Sequence, residues 1–158
     1  MSTPLLKIDG LKTYFHTEDG TVRAVDGVSL AVERGRTLGI VGESGSGKSV
    51  MAYSILRLLP ENVADIKEGV VEWTGGKGRV DLAKLPIEKM PYYRGGDIAM
   101  IFQEPMTSLN PVFKCGKQVA ESIVYHKGGS WEEAWKRGIE LLDEVGIPLP
   151  ERRMNQYP

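Results

Sequence analysis

The sequence has little cysteine: one residue, Cys115, in 158. A single thiol excludes an internal disulfide and a cysteine-ligated metal cluster. Cys115 is expected to be a small apolar side chain in a core. Charge of one sign is also missing. Twenty Lys and Arg face 21 Asp and Glu, a net charge of −1. A nucleic-acid binder needs a basic face, so nucleic acid is excluded as a partner. No apolar run approaches the ~18 residues of a membrane-spanning helix. The first residues, Met1-Ser2-Thr3-Pro4-Leu5-Leu6-Lys7, lack a signal-peptide pattern. A cytoplasmic chain with one core is the expectation. His16 and His126 are the two histidines, and both read as surface residues. Internal repeats and low-complexity tracts are absent.

Glycine, by contrast, is plentiful, and three of its 19 residues fall in one short loop. Gly42-Glu43-Ser44-Gly45-Ser46-Gly47-Lys48-Ser49 fits the phosphate-binding pattern G-x-x-x-x-G-K-[ST]. The context fits as well. Thr37–Val41 reads as a short buried strand before the loop. Ser49–Leu59 reads as a helix after it, with Val50, Met51, Ile55, Leu58 and Leu59 at helical spacing. Glycines let the backbone bend so that several N–H groups converge on one anion. The helix start adds its positive dipole end. Lys48 is placed to reach the β- and γ-phosphates, and the Ser49 hydroxyl to ligate Mg²⁺. A chance glycine turn would lack the strand and helix on either side.

The rest of the chain reads as alternating β and α segments. Leu5–Phe15 and Val22–Val32 predict two strands joined by Glu18-Asp19-Gly20, with a bulge at Gly10. Pro60 is expected to end the first helix. Val70–Trp73 and Arg79–Leu82 predict a hairpin. The glycines between them, Gly75, Gly76 and Gly78, are a turn and not a second phosphate loop. Leu85–Tyr93 predicts a short helix, and Asp97–Phe102 a buried strand. An irregular loop follows between Pro105 and Pro111. Cys115–Tyr125 and Trp131–Val145 predict helices, the second capped by Ser130 with Glu133. Its face of Trp131, Ala134, Trp135, Ile139, Leu142 and Val145 is expected to be core. Glu151–Pro158 reads as an irregular end.

Two stretches together resemble one family. The phosphate loop and Met100-Ile101-Phe102-Gln103-Glu104-Pro105-Met106-Thr107-Ser108-Leu109-Asn110-Pro111 look like the ATP-binding subunits of ABC transporters. The second stretch, and Ala24-Val25-Asp26-Gly27-Val28-Ser29-Leu30, resemble the dipeptide, oligopeptide and nickel importer branch. The resemblance runs through the whole chain. It implies an α/β phosphate-loop NTPase fold, an antiparallel β subdomain, and the start of a helical subdomain. The β subdomain and phosphate-loop core would reach to about residue 104, with the Q-loop and helical subdomain over about 103–158. It implies ATP and Mg²⁺ as ligands. Gln103 takes the Q-loop position, approaching Mg²⁺ and the attacking water. Phe15 sits at the spacing of the aromatic that stacks on adenine, with Tyr14 as the neighbouring alternative and a core role as the bland one. The implied partners are transmembrane permease subunits, met through Gln103–Pro111, and a second ATP-binding subunit. The implied location is the inner face of the cell membrane.

The sequence also departs from the family. Members continue past a Tyr-Pro like Tyr157-Pro158 into a signature motif, an acidic strand end and a switch histidine. The expectation is therefore an N-terminal part that binds nucleotide weakly and turns over little by itself. Other readings belong to other classes. A GTPase needs a guanine-reading Asn-Lys-x-Asp, and no such run occurs. A small kinase needs an arginine lid and an acceptor site. A non-catalytic interaction fragment, docking through Met106–Pro111, would show no turnover. The sequence leaves the transported solute open.

Overall fold

The computed structural model describes residues 3–76, 78–104 and 108–158. The chain divides into two units, Met1–Ile98 and Ala99–Pro158.

The first unit is built on an antiparallel sheet. Its strands are β1 (Leu6–Thr17), β2 (Gly20–Val32), β3 (Ala64–Gly75) and β4 (Gly78–Asp81), in the order β2-β1-β3-β4. The two-residue turn Glu18-Asp19 joins β1 to β2, with Thr17 opposite Gly20. The bulge foreseen at Gly10 is present. Gly10 has φ 59°, and the register of β1 shifts around it on both sides of the strand. Against β2 the shift falls between Ile8 and Leu11, and against β3 between Asp9 and Lys12. An extra residue in a strand reverses which residues face inward. Thus Ile8 and Leu11, three apart, are both buried, and Thr13 follows Leu11 inward. The Gly10 N–H, displaced from the ladder, donates to Ser29 Oγ at 2.8 Å. Val71 and Trp73 of β3, Leu82 and Met90 complete this core, with Val25 of β2. Each such side chain contributes about 1.5–3 kcal/mol by leaving water.

Helix α1 (Lys48–Ile55) packs Met51 into the same core. It is shorter than the apolar spacing suggests. Arg57, at φ 50°, turns the chain out of the helix. The Leu58 N–H donates to Tyr53 O at 3.0 Å, and the Arg57 N–H to Ser54 O at 3.1 Å. This is the Schellman pattern, normally closed by glycine. Arginine is held there by its own contacts. Its guanidinium donates to Leu85 O and to Glu61, while Arg94 donates to Leu56 O and Arg57 O at 2.8 and 2.6 Å. The helix therefore stops before Pro60. The segment at Leu85–Tyr93 is a 3₁₀ helix, Ile87–Tyr92, containing Pro91.

Two expected strands do not form. Thr37–Val41 has no ladder partner, and Val41 is 98% exposed. Among the described residues Asp97–Phe102 joins no ladder beyond an isolated bridge between Arg94 and Ile98, and Ile101 is 99% exposed. Apolar composition marks both as strands of a parallel sheet buried on two faces. A strand is defined by the ladder it joins, and among the described residues neither stretch joins one.

The second unit holds α2 (Cys115–Lys127), α3 (Trp131–Glu144) and α4 (Pro150–Met154). The capping box at Ser130 is realised. The Glu133 N–H donates to Ser130 Oγ at 3.2 Å, and the Ser130 N–H to Glu133 Oε2 at 2.9 Å. The bond from the Ser130 N–H, and a second from its hydroxyl to Oε2 at 3.0 Å, hold the Glu133 carboxyl below its usual value. The first part of the tail expected to be irregular is instead α4, while residues 155–158 form no helix or strand. Pro150 opens α4, and Met154 is fully buried. A side chain at Gly138 would meet Met154 Cε at 2.6 Å, so the helices approach closely there. The Cys115 N–H donates to Gln156 O at 2.8 Å, tying the end back to α2. Cys115 itself is half-buried. The apolar face of α3 is narrower than its spacing predicts: Ala134 is buried, while Trp131 and Val145 are exposed.

Candidate phosphate-binding site

The loop Gly42–Gly47 leads directly into α1. The Ser46 N–H donates to Glu43 O at 3.3 Å, closing a turn, and the Met51 N–H makes the first helical bond to Gly47 O at 2.8 Å. Gly47 is the N-cap residue, at φ 87°. Two constraints demand glycine there. The φ is left-handed, and a Cβ would fall far inside van der Waals contact with the Ala24 carbonyl oxygen of β2. Among the described residues no side chain caps the helix. The N–H groups of its first turn are therefore directed out of the helix without intrahelical acceptors.

Lys48 folds over the loop it follows. Its Nζ donates to Gly42 O at 2.7 Å, Glu43 O at 2.6 Å and Ser46 Oγ at 3.1 Å. The ammonium has three protons and here three acceptors. It is thereby held beside the uncapped helix start. Glu43, Ser44, Gly45 and Ser49 are exposed, and Lys48 is half-buried. A cleft of ≈ 340 Å³ opens beside the loop, with Ala24, Val25 and Asp26 of β2 on one wall and Gly42, Gly47 and Lys48 on the other. A second cleft, ≈ 270 Å³, opens at the far end of α1 around Arg57, Glu61 and Asp65. Its arginine donates to Leu85 O and to Glu61.

Tyr14 and Phe15 occupy different surroundings. The Tyr14 hydroxyl donates to Asp26 Oδ1 at 2.8 Å, and Arg23 lies 5.7 Å from its ring centre. That bond to Asp26 raises the Tyr14 phenol above its usual value. Phe15 is half-buried and pairs with Val22 and Ala64. By strand alternation it shares a face with Thr13, which contacts α1. Gln103 falls in the second unit, at an exposed bend. Its expected place at the end of a buried strand is not realised, because Asp97–Phe102 forms no ladder. Pro105 and Met106 lie outside the described residues. Leu109 is half-buried, and the Asn110 that follows exchanges bonds with Gln118 of α2 at 2.8 and 3.0 Å.

Ala24 and Val25 are site residues that motif reading alone does not single out. The wall they form depends on β2 lying against the loop, a tertiary fact. No group of three or more His, Cys, Asp or Glu converges among the described residues. No helix among them is long and apolar enough to cross a membrane.

Comparison with known proteins agrees with this geometry. The chain is 47% identical over 156 residues to the oligopeptide transport ATP-binding protein OppD of Bacillus subtilis (strain 168), covering 99% of this chain and 42% of that protein. It is 46% identical over 158 residues to the glutathione import ATP-binding protein GsiA of Salmonella typhimurium (strain LT2), covering 99% of this chain and 25% of that one. The chain thus spans half the length, or less, of these relatives. Among solved structures, the dimeric bacterial ABC transporter cassette MJ0796 superposes with a TM-score of 0.77 at 26% identity, covering 97% of this chain and 61% of that one. This supports the α/β fold with an antiparallel sheet and helices, present in part. The sequence pattern of the ABC transporter family matches residues 25–158, and the chain belongs to that family.

Proposed function

We propose that this chain binds MgATP through Gly42–Ser49, as the nucleotide-binding part of an ABC importer for peptides. The observation that carries the reading is Lys48 held over a loop that ends in an uncapped helix. Positive charge, a helix dipole and free N–H groups then act on one volume, which suits a polyphosphate. Phosphate oxygens would take over the three bonds that Lys48 now gives to its own loop.

Mg²⁺ fits the residues present. It prefers oxygen and keeps several waters, so one hydroxyl and the phosphates suffice. Ser49 is exposed at the start of α1 and supplies that hydroxyl. When bound, the metal would neutralise phosphate charge. Gln103 is proposed as a further contact to this centre and to the attacking water, on the family resemblance. Phe15 is the better adenine platform. Tyr14 is committed to Asp26, whereas Phe15 pairs with Val22, two residues along β2 from Ala24, which touches the loop. One strand spacing and two residues amount to about 8 Å, which suits a ribose between base and phosphates. Stacking there would contribute about 1–3 kcal/mol.

Peptide import is supported by the relatives' names and by the branch-like stretch Met100–Pro111. The proposed partners are permease subunits, through Gln103–Pro111, and a second ATP-binding subunit. The proposed location is the inner face of the membrane. Hydrolysis is assigned to the complete ATPase assembly.

Lys48→Ala tests the site. Charge-assisted hydrogen bonds are worth about 1.5–3 kcal/mol, so MgATP affinity should fall about 10- to 150-fold. Calorimetric titration of both chains measures it. Equal affinities would refute the assignment.

A further inference from the structure

Among the described residues, two polar side chains are buried in the first unit's core: Thr13 of β1, 0% exposed, and Ser54 of α1, 1% exposed. They bond to each other, Oγ1 to Oγ, at 2.9 Å. The direction of that bond is determined. Ser54 has one hydroxyl proton and gives it to Val50 O at 2.7 Å, four residues back in its own helix. Ser54 therefore accepts, and Thr13 donates. A buried hydroxyl pair is costly to desolvate unless satisfied, and this one is satisfied. An apolar pair would pack in the same place without a fixed register, because apolar contacts are non-directional. A hydrogen bond specifies both distance and angle.

The position of the bond gives it a consequence. From Ser54, α1 runs back five residues to Ser49 and the phosphate loop, about 7.5 Å. From Thr13, β1 runs on two residues to Phe15, about 6.6 Å. The bond is thus the hinge of two arms, one ending at phosphate contacts and the other at the proposed adenine platform. It lies where β1 is already irregular, since the register shifts on both sides of Thr13.

We propose that the Thr13–Ser54 hydrogen bond is a positioning contact that sets the separation of the adenine and phosphate ends of the nucleotide site. It thereby controls how far the chain prefers ATP over a bare polyphosphate. This rests on the nucleotide reading above. Thr13 and Ser54 touch no ligand in this account; they act through Phe15 and the start of α1.

The test compares MgATP with magnesium tripolyphosphate, a probe with the phosphates but no base. Both are titrated against the parental chain, Thr13→Val, Ser54→Ala and Thr13→Ser. Thr13→Val keeps the shape and leaves Ser54 bonded to Val50, so the fold should survive. The preference for ATP should fall about three- to tenfold in Thr13→Val, the range of one neutral hydrogen bond. Tripolyphosphate affinity should stay within about twofold of the parent's, because the loop is untouched. Ser54→Ala should behave alike, and Thr13→Ser, which restores the donor, should regain the preference. An unchanged preference in both deletion variants overturns the proposal. So does a parallel loss of both ligands, which would mark the pair as support for the fold alone. A parental chain that binds tripolyphosphate as tightly as ATP overturns the adenine reading beneath it. One that binds neither overturns the nucleotide site itself.

Discussion

Gly47→Ala should remove nucleotide binding almost entirely. The substitution adds one methyl group at the point where the phosphate loop meets β2. There, a Cβ collides with the Ala24 carbonyl oxygen, a backbone atom with no alternative rotamer. Gly47 also sits at φ 87°, where an L-residue costs about 1–2 kcal/mol. The loop must lift off β2 or leave its left-handed turn. Either movement splays the N–H groups at the start of α1. Losing two charge-assisted contacts of about 1.5 kcal/mol each already predicts a fall of more than about 100-fold in MgATP affinity. Gly45→Ala is the matched control. Gly45 has a similar φ of 79° but nothing within 4 Å of its would-be Cβ. It should show backbone strain alone and a smaller loss. If the two variants bound MgATP equally, the contact with Ala24 would have no part in shaping the loop.

Met154→Ala should unfold much of the helical unit. Met154 is fully buried, and its methyl group lies against Gly138 of α3. Methionine-to-alanine changes in cores cost about 2–5 kcal/mol. The unit spans Ala99–Pro158, and units of this size bury little surface and have little stability to lose. Hydrogen exchange is the direct readout. Amides of α2 and α3 should lose protection in the variant, while amides of β1 and β3 keep theirs. Unchanged protection in α2 and α3 would show that α4 is a dispensable appendage.

Met154 also marks where sequence reading stopped. Arg152-Arg153-Met154-Asn155 offers no helical apolar stripe, only one apolar residue among polar ones. What makes α4 is a seat provided by other helices, at Gly116 and Gly138, and a terminus tied to Cys115. Neither is local. The end of α1 is similar. Leu58 and Leu59 extend the apolar spacing, yet Arg57 closes the helix through partners at Leu85 and Arg94, about 30 residues away. Patterns enforced locally were legible. The Glu18-Asp19 turn, the Gly10 bulge, the β3–β4 hairpin and the Ser130 capping box all appear where the sequence indicates. The phosphate loop was legible because its chemistry depends on closely spaced residues. Its β2 wall was not, since Ala24 contributes a carbonyl oxygen, which every residue type possesses. Thr37–Val41 and Asp97–Phe102 show the converse. Their composition is that of buried strands, but pairing is a property of neighbours, and composition does not supply those.

The central claim is that the polyphosphate of MgATP lies on Gly42–Ser49. Backbone amide shifts of the full chain, followed through an MgATP titration, test it most directly. The account predicts saturable shifts of Gly45, Gly47, Lys48 and Ser49, with smaller ones at Ala24 and Phe15, and the same loop shifts with magnesium tripolyphosphate. Saturable MgATP binding that left Gly45, Gly47 and Lys48 unmoved would contradict it.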